Sequence, residues 1–470
     1  MKATAHLQKI GLFPHHGICL PLFSLHTRLH PGKGTFLDLI PLIDWVKQIG
    51  FDVLQLLPIH DTGSARSPYN PISSCALNPL YLSSENPHKL FQDTFFSLSK
   101  TSAYQTFLKE NPWLSGYARF KALKEQFGGK HWLDWPPNAS PPKEAIDFHI
   151  FVQFHAFRQM QLVHQHATEQ GIFIKGDIPI LLSPDSADVW ENPHLFHLDL
   201  SAGAPPDLYN QLGQNWGFPL FNWDAMRKEH FQWWKQRLKV AEKCFHIYRI
   251  DHVVGFFRIW GIEKGKKAAE GSFFPPDPTL WAAQGKELLE MMISASSALP
   301  MAEDLGTIPK EVYPLLKELG ICGTKVLRWE KTDGRYTPFA QYEPLSMTTL
   351  STPDMDPLEL WWKKYPAESI PFADFMHLAY HPILSAKQRL HILREAHHTP
   401  SLFHINLLQE YLALFPELVS SNPENERINV PGTLLPGNWT YRFRPSIEEI
   451  TTHKGLAEAF ASILAKKCVE

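Results

Sequence analysis

Residues 245–262 read FHIYRIDHVVGFFRIWGI, and this stretch organises the rest of the chain. It opens as a short apolar run of the kind that forms a strand buried on both faces. Arg249 and Asp251 stand two apart, so on a strand both side chains leave the same face. Taken alone, an R-x-D pair reads as a structural salt bridge. Two further stretches change the reading: GDIPI at 176–180 and MAEDLG at 301–306. Each is an apolar run that ends in acidic residues and a turn. Carboxylates at the C-terminal ends of successive parallel strands are how a barrel enzyme builds its site.

Working outward, apolar runs and helical spacings alternate. Residues 17–25 (GICLPLFSL) read as a first strand, 36–49 as a helix closed by Gly50, and 51–58 (FDVLQLLP) as a second strand. Residues 172–178, 245–251, 298–302, 323–329, 346–352 and 403–407 supply strands three to eight. Helical patterns fall at 148–170, 225–244, 279–294, 309–319 and 356–364. Repeated strand–helix order predicts an α/β fold, a (β/α)8 TIM barrel in one domain over 1–470. Two segments are too long for simple connections. Residues 60–147 read as a mostly helical insertion after strand two, and 181–224 as an aromatic loop insertion after strand three. Both extend the C-terminal face.

Composition narrows the function classes. A net charge of −3 gives no electrostatic case for nucleic acid or an anionic membrane surface. Five scattered cysteines show no zinc-type spacing, and no stretch reaches the roughly 18 apolar residues of a membrane span. Pro14, His15 and His16 interrupt any apolar leader, so a cytoplasmic location is expected. Fifteen Trp and 31 Phe exceed what a core of this size needs, and many Trp stand beside Asn, Gly and Pro in loop-like stretches. Most are core packing; the rest suit stacking on sugar rings.

Strands four, five and seven end in Asp251, Glu303 and Asp354. Three carboxylates at one mouth raise one another's pKa values, which is costly unless chemistry uses it. Retaining glycosyl chemistry does, with an ionised nucleophile and a protonated acid about 5–5.5 Å apart. Arg249 would hold Asp251 charged. Glu303, between apolar Met301 and Leu305, would keep its proton as acid and then act as base. Asp354 would bind sugar hydroxyls and stabilise the oxocarbenium-like state. Metal binding is the rival use of such carboxylates, but no Gly-rich phosphate loop accompanies them.

The ordered motifs LLPIHDTG, SPYNPISSCALNPL, KGDIPI, DSADVWENPHLF, GAPPD, GQNWGFPLFNWD, RIDHVVGFFRIW, AEDLG and NVPGT…GNW resemble the 4-alpha-glucanotransferase family (amylomaltase, or disproportionating enzyme) of the alpha-amylase clan. The resemblance covers nearly the whole chain, and it implies a (β/α)8 barrel with insertions and no separate C-terminal β-domain. It implies Asp251 as nucleophile and Glu303 as acid/base, with Arg249, His252, Asp177 and Asp304 lining the donor subsite. It implies donor-side contacts from Ser67 and Tyr69, an acceptor loop with Gln214 and Trp216, and a sugar contact from Asn438. It implies a maltooligosaccharide or glycogen-type α-1,4-glucan as partner, with no cofactor and no metal. The seventh-strand motif departs from the family's THDNDT: here it reads Thr352-Pro353-Asp354-Met355-Asp356-Pro357, with proline in place of the histidine. Three activities stay open: transfer of a glucan segment to a 4-hydroxyl, amylase-like or debranching hydrolysis, and glucan binding with little turnover.

Overall fold

The computed structural model describes residues 2–206 and 211–465. Eight strands form one parallel sheet: β1 (His15–Leu20), β2 (Val53–Leu56), β3 (Phe173–Ile178), β4 (Ile247–Ile250), β5 (Leu299–Ala302), β6 (Gly323–Val326), β7 (Ser346–Thr349) and β8 (Phe403–Leu407). The spatial order is β5-β4-β3-β2-β1-β8-β7-β6. The two ends meet at a Met301–Cys322 bridge, where the Ala302 N–H donates to the Cys322 carbonyl at 2.8 Å. The sheet is therefore a barrel. Its strands are largely buried, because helices cover one face and barrel-filling side chains the other.

The helix Leu39–Gln48 shows how sequence makes this wall. Leu39, Leu42, Ile43 and Val46 repeat at helical spacing and are buried. Gly50 then adopts φ +82°, a left-handed residue that lets Phe51 turn back toward β2. The 28-residue helix Lys143–Gln170 ends the same way at Gly171, φ +73°. One connection lacks an α-helix: between β6 and β7 the chain makes a two-stranded hairpin, Lys331–Thr332 with Arg335–Tyr336. β6 and β7 also stop three residues short of the lengths expected from the sequence. Past β6, the Trp329 N–H turns back to the Val326 carbonyl; past β7, the Leu350 N–H goes to the Asn406 side chain.

The segment after β2 folds into helices Pro87–Leu98, Ser102–Glu110 and Trp113–Gln126, packed on Lys143–Gln170. Two buried polar groups fasten it to the barrel rim. Asp61 accepts from the Tyr117 hydroxyl at 2.7 Å and the Gly63 N–H at 2.9 Å, and pairs with Lys121 at 3.1 Å. The Gln153 amide spans the Leu77 backbone, accepting its N–H at 2.9 Å and donating to its carbonyl at 2.8 Å. The loop between Asp61 and Leu77, which carries Tyr69, is thus anchored at both ends.

The described parts of the segment after β3, residues 181–206 and 211–224, are more ordered than a loop. Leu200–Ala204 and Gln214–Asn215 join Ile259–Glu263 and Ser272–Phe274 in a four-stranded antiparallel sheet over the barrel mouth. Gly203 permits the close approach, since a Cβ there would stand 1.9 Å from the Gln214 carbonyl oxygen. Asp207 of the GAPPD motif, and Cys468, lie outside the described residues. Among the described residues no helix is long and apolar enough to cross a membrane.

At the N-terminal end of the barrel His397 and His404 are buried and His16 is half-buried, and among the described residues none of these three rings is paired with an acid. His16 Nδ1 and His397 Nδ1 share a hydrogen bond at 2.9 Å, and the His16 and His404 rings stack at 5.0 Å. Burial pulls His16 down to about 3 and His404 to about 4, with the neighbouring histidines adding to the fall. Such a group is neutral in the folded state. Its stabilisation is complete above the unfolded pKa near 6.5 and is lost as pH falls toward 4. A His404→Gln variant lacks that loss. Its stability deficit against wild type, measured by urea unfolding, should shrink by about 2 kcal/mol between pH 7.5 and pH 5. A deficit that stays constant or widens would contradict the neutral-histidine account.

Candidate active site

The site is built from the C-terminal ends of β3, β4, β5 and β7, around a cavity of about 480 Å³. Register sets its centre: Asp177 of β3 is the direct partner of Arg249 of β4. Arg249 Nη1 donates to both Asp177 oxygens, at 2.8 and 2.9 Å, and to Asp251 Oδ1 at 2.9 Å. Its Nη2 lies 3.7 Å from Glu303 Oε2. One guanidinium therefore faces three carboxylates from three strands. Burial pulls the Arg249 pKa down, but Asp177, Tyr69, Asp251 and Glu303 together outweigh it and hold it well above its ordinary value.

Each carboxylate has its own surroundings. Asp251 Oδ2 also accepts the Ile180 N–H at 3.3 Å. Asp177 is 1% exposed and accepts the Tyr69 hydroxyl at 2.8 Å; burial raises its pKa against the pull of Arg249. Glu303 is pushed up to about 7, chiefly by burial, with Asp251 adding and Arg249 opposing. Its Oε2 accepts the His252 N–H at 2.7 Å, and Oε1 the Leu305 N–H at 3.2 Å. His252 adopts φ +44°, uncommon for a side-chain-bearing residue, and this turn directly after Asp251 aims its N–H at Glu303. Asp354 keeps an open side toward the mouth, yet enclosure by the surrounding protein raises its pKa. Its Oδ1 accepts the Asn429 amide at 2.6 Å.

Aromatic rings frame these acids. Trp216 stands edge-on to His252 at 5.2 Å, and its indole N–H donates to Gln214 at 3.1 Å. The Trp216 backbone N–H is held by the Ala202 carbonyl at 2.8 Å, so the small antiparallel sheet sets its position. Across the cavity Tyr69 packs on Trp439 at 5.4 Å. The arrangement offers a charged floor and ring-lined walls, the chemistry of a sugar site. Among the described residues no group of three or more His, Cys, Asp or Glu is arranged to hold a metal ion.

Of the residues named from the sequence, Asp251, Glu303, Asp354, Asp177, Arg249, His252, Tyr69, Gln214 and Trp216 line this cavity. Ser67, Asp304 and Asn438 do not line it. Asp304 is turned into the wall, where its carboxylate accepts the Thr324 N–H at 2.6 Å and leaves room only for glycine at 323. The Asn438 amide is spent on its own loop, bonding the Val430 N–H and the Thr433 carbonyl. Ser67 Oγ accepts the Tyr69 N–H at 3.3 Å, so it shapes the loop that presents the ring. Asn429, Trp439 and Pro353 also line the cavity. Asn429 and Trp439 belong to the NVPGT and GNW motifs, where residue type alone does not mark them as cavity-lining.

A parallel barrel with acids and an arginine gathered among aromatic rings at its C-terminal face is a carbohydrate-active enzyme by fold and site. The profile of the 4-alpha-glucanotransferase family matches residues 20–96 and 88–448. A 4-alpha-glucanotransferase of Chlamydia trachomatis is 43% identical, covering 95% of this chain and 94% of that protein. One from Thermus thermophilus is 30% identical over 88% and 92%. In fold, the chain resembles the amylomaltase of Streptococcus agalactiae solved with acarbose: TM-score 0.82, 24% identity, 96% and 98% coverage. The chain belongs to the 4-alpha-glucanotransferase family.

Asp304 and Glu303 are adjacent, and their contacts predict different roles. Asp304→Ala should lower stability by about 1–3 kcal/mol, because the Thr324 N–H loses its acceptor, while KM for the donor stays near wild type. A raised KM with an unchanged melting temperature would instead assign Asp304 to the substrate.

Proposed function

We propose that the enzyme moves α-1,4-glucan segments between maltooligosaccharides by a retaining double displacement. Asp251 attacks the anomeric carbon of the donor while Glu303 protonates the departing glycosidic oxygen. The C–O bond breaks, the shortened glucan leaves with the proton, and a glycosyl ester forms on Asp251. Glu303, now a carboxylate, removes the proton from the 4-hydroxyl of an acceptor glucan. That oxygen attacks the same carbon, and Asp251 is released. Asp354 binds sugar hydroxyls, Tyr69 and Asp177 hold the donor side, and Trp216 with Gln214 receives the acceptor.

One observation carries this reading most strongly. Asp251 and Glu303 share a guanidinium, yet one is bonded to it tightly while burial holds the other toward its protonated form. That is the unequal pair that retaining chemistry requires. The ring-lined walls support transfer over hydrolysis, since they favour a sugar acceptor over water. Pro353 supports a second reading, that of a slower member of the family. It lines the cavity beside Asp354 without a side-chain donor, and the amide of Asn429 is the recorded partner of that carboxylate.

Maltotriose distinguishes these readings. Transfer should give glucose and longer oligomers with no net gain of reducing ends, whereas a rise in reducing ends would mark a hydrolase. Binding without products would mark the slow or inactive reading. Glu303→Gln should lower turnover by about 10²–10⁴-fold. Because the acid must be protonated, kcat/KM should fall as pH rises through about 7. An alkaline limb unchanged in the Gln variant would assign it to another group.

Trp216→Ala should raise the acceptor KM more than it slows cleavage of an activated donor such as a glycosyl fluoride. Equal losses in both half-reactions would place Trp216 on the donor side.

A further inference from the structure

Lys175 stands two residues before Asp177 in β3, so strand alternation sends both side chains into the barrel. It is 1% exposed. Among the described residues its ammonium group has one hydrogen-bond partner, the Met347 sulfur across the barrel at 2.9 Å, and forms no ion pair. The acid nearest in sequence, Asp177, is taken up by Arg249 and Tyr69. The titratable groups facing Lys175 are Cys19 of β1, Asp177, Arg249 of β4 and Cys322 ahead of β6. Burial pushes both thiols up to about 12, so neither offers a counter-charge. Gln55, in register with Lys175 on β2, has a buried side-chain oxygen without a partner.

A buried ammonium without an acidic partner is costly, and such a group sheds its proton instead. Burial accordingly pulls Lys175 down to about 7. The neighbouring site holds one cation, Arg249, and its reaction centre must become positive. Two residues of strand span roughly 6.6 Å, and a reacting carbon stands roughly 3–3.5 Å beyond the carboxylate it meets, which puts it on the order of 10 Å from Lys175. A unit charge at that distance, in an effective dielectric of about 20, changes the rate about tenfold.

We propose that Lys175 is a positioning residue whose charge state gates the site. Neutral, it leaves Arg249 as the cation that orders Asp177 and Asp251; protonated, it sets a second cation beneath an oxocarbenium-like state and slows its formation. This rests on the double displacement proposed above. It assigns the acid side of the pH profile to a lysine in the barrel floor, while Glu303 sets the alkaline side.

The test compares kcat/KM for maltotriose disproportionation at pH 6.0 and pH 7.5 in wild type, Lys175→Met and Lys175→Arg, with melting curves at both pH values. The ratio of rates at pH 6.0 and 7.5 should be about fivefold higher in Lys175→Met than in wild type. Lys175→Arg, charged throughout, should be about tenfold slower than wild type at pH 7.5. An acid-side ratio equal in wild type and the Met variant would overturn the proposal, as would an Arg variant matching wild type. If the Arg variant does not fold, the Met ratio decides. A wild type that fails to disproportionate maltotriose at either pH overturns the underlying reaction, and the lysine's role with it. An active wild type with an unmoved ratio removes only the latter.

Discussion

The site depends on Arg249 being shared. A guanidinium inside a barrel is tolerable only if its hydrogens meet acceptors, and breaking one side of a buried pair is far costlier than never having built it. β3 and β4 meet this demand by register, with Asp177 directly opposite Arg249. Asp251, two residues further along, takes a third bond from the same nitrogen, after the two to Asp177. Glu303 stands near the other nitrogen, at 3.7 Å, and is left closer to its protonated form. Burial of Glu303, together with the way one cation distributes its hydrogen bonds, thus sets the two acids of the cleft apart.

Around this centre the molecule separates two tasks. The N-terminal end of the barrel is held by neutral histidines, stacked rings and bonds such as His397 to the Tyr411 hydroxyl at 2.6 Å. The C-terminal end carries the charges. Insertions there act as struts: Asp61 and Gln153 fix the Tyr69 loop, and the four-stranded sheet fixes Trp216. Rigid mounting matters because a sugar ring must be held within a fraction of an ångström of its nucleophile.

The barrel strands were legible because a parallel strand buried on both faces is mostly apolar, and GICL, VLQL and FHINL stand out between turns. The acids were legible because they follow those runs directly. The small sheet was not, since Leu200–Ala204 and Gln214–Asn215 are short, made mostly of small and polar residues, and the first of them is held by Ile259–Glu263, far along the chain. The role of Asp304 was readable in principle. Adjacent residues leaving a strand point to opposite sides, so of Glu303 and Asp304 only one can face the cleft. Asn438 could not be read from its neighbours, because its amide bonds depend on how its own loop closes.

The most direct test is to catch the sugar on the protein. A maltooligosaccharyl fluoride blocked at its own 4-hydroxyl needs no acid to leave, so in the Glu303→Gln variant it should form the glycosyl ester and then stall for want of a base. Peptide mass spectrometry should find the added glycosyl mass on the peptide that contains Asp251. An unmodified protein, or the mass on a different carboxylate, would contradict the account.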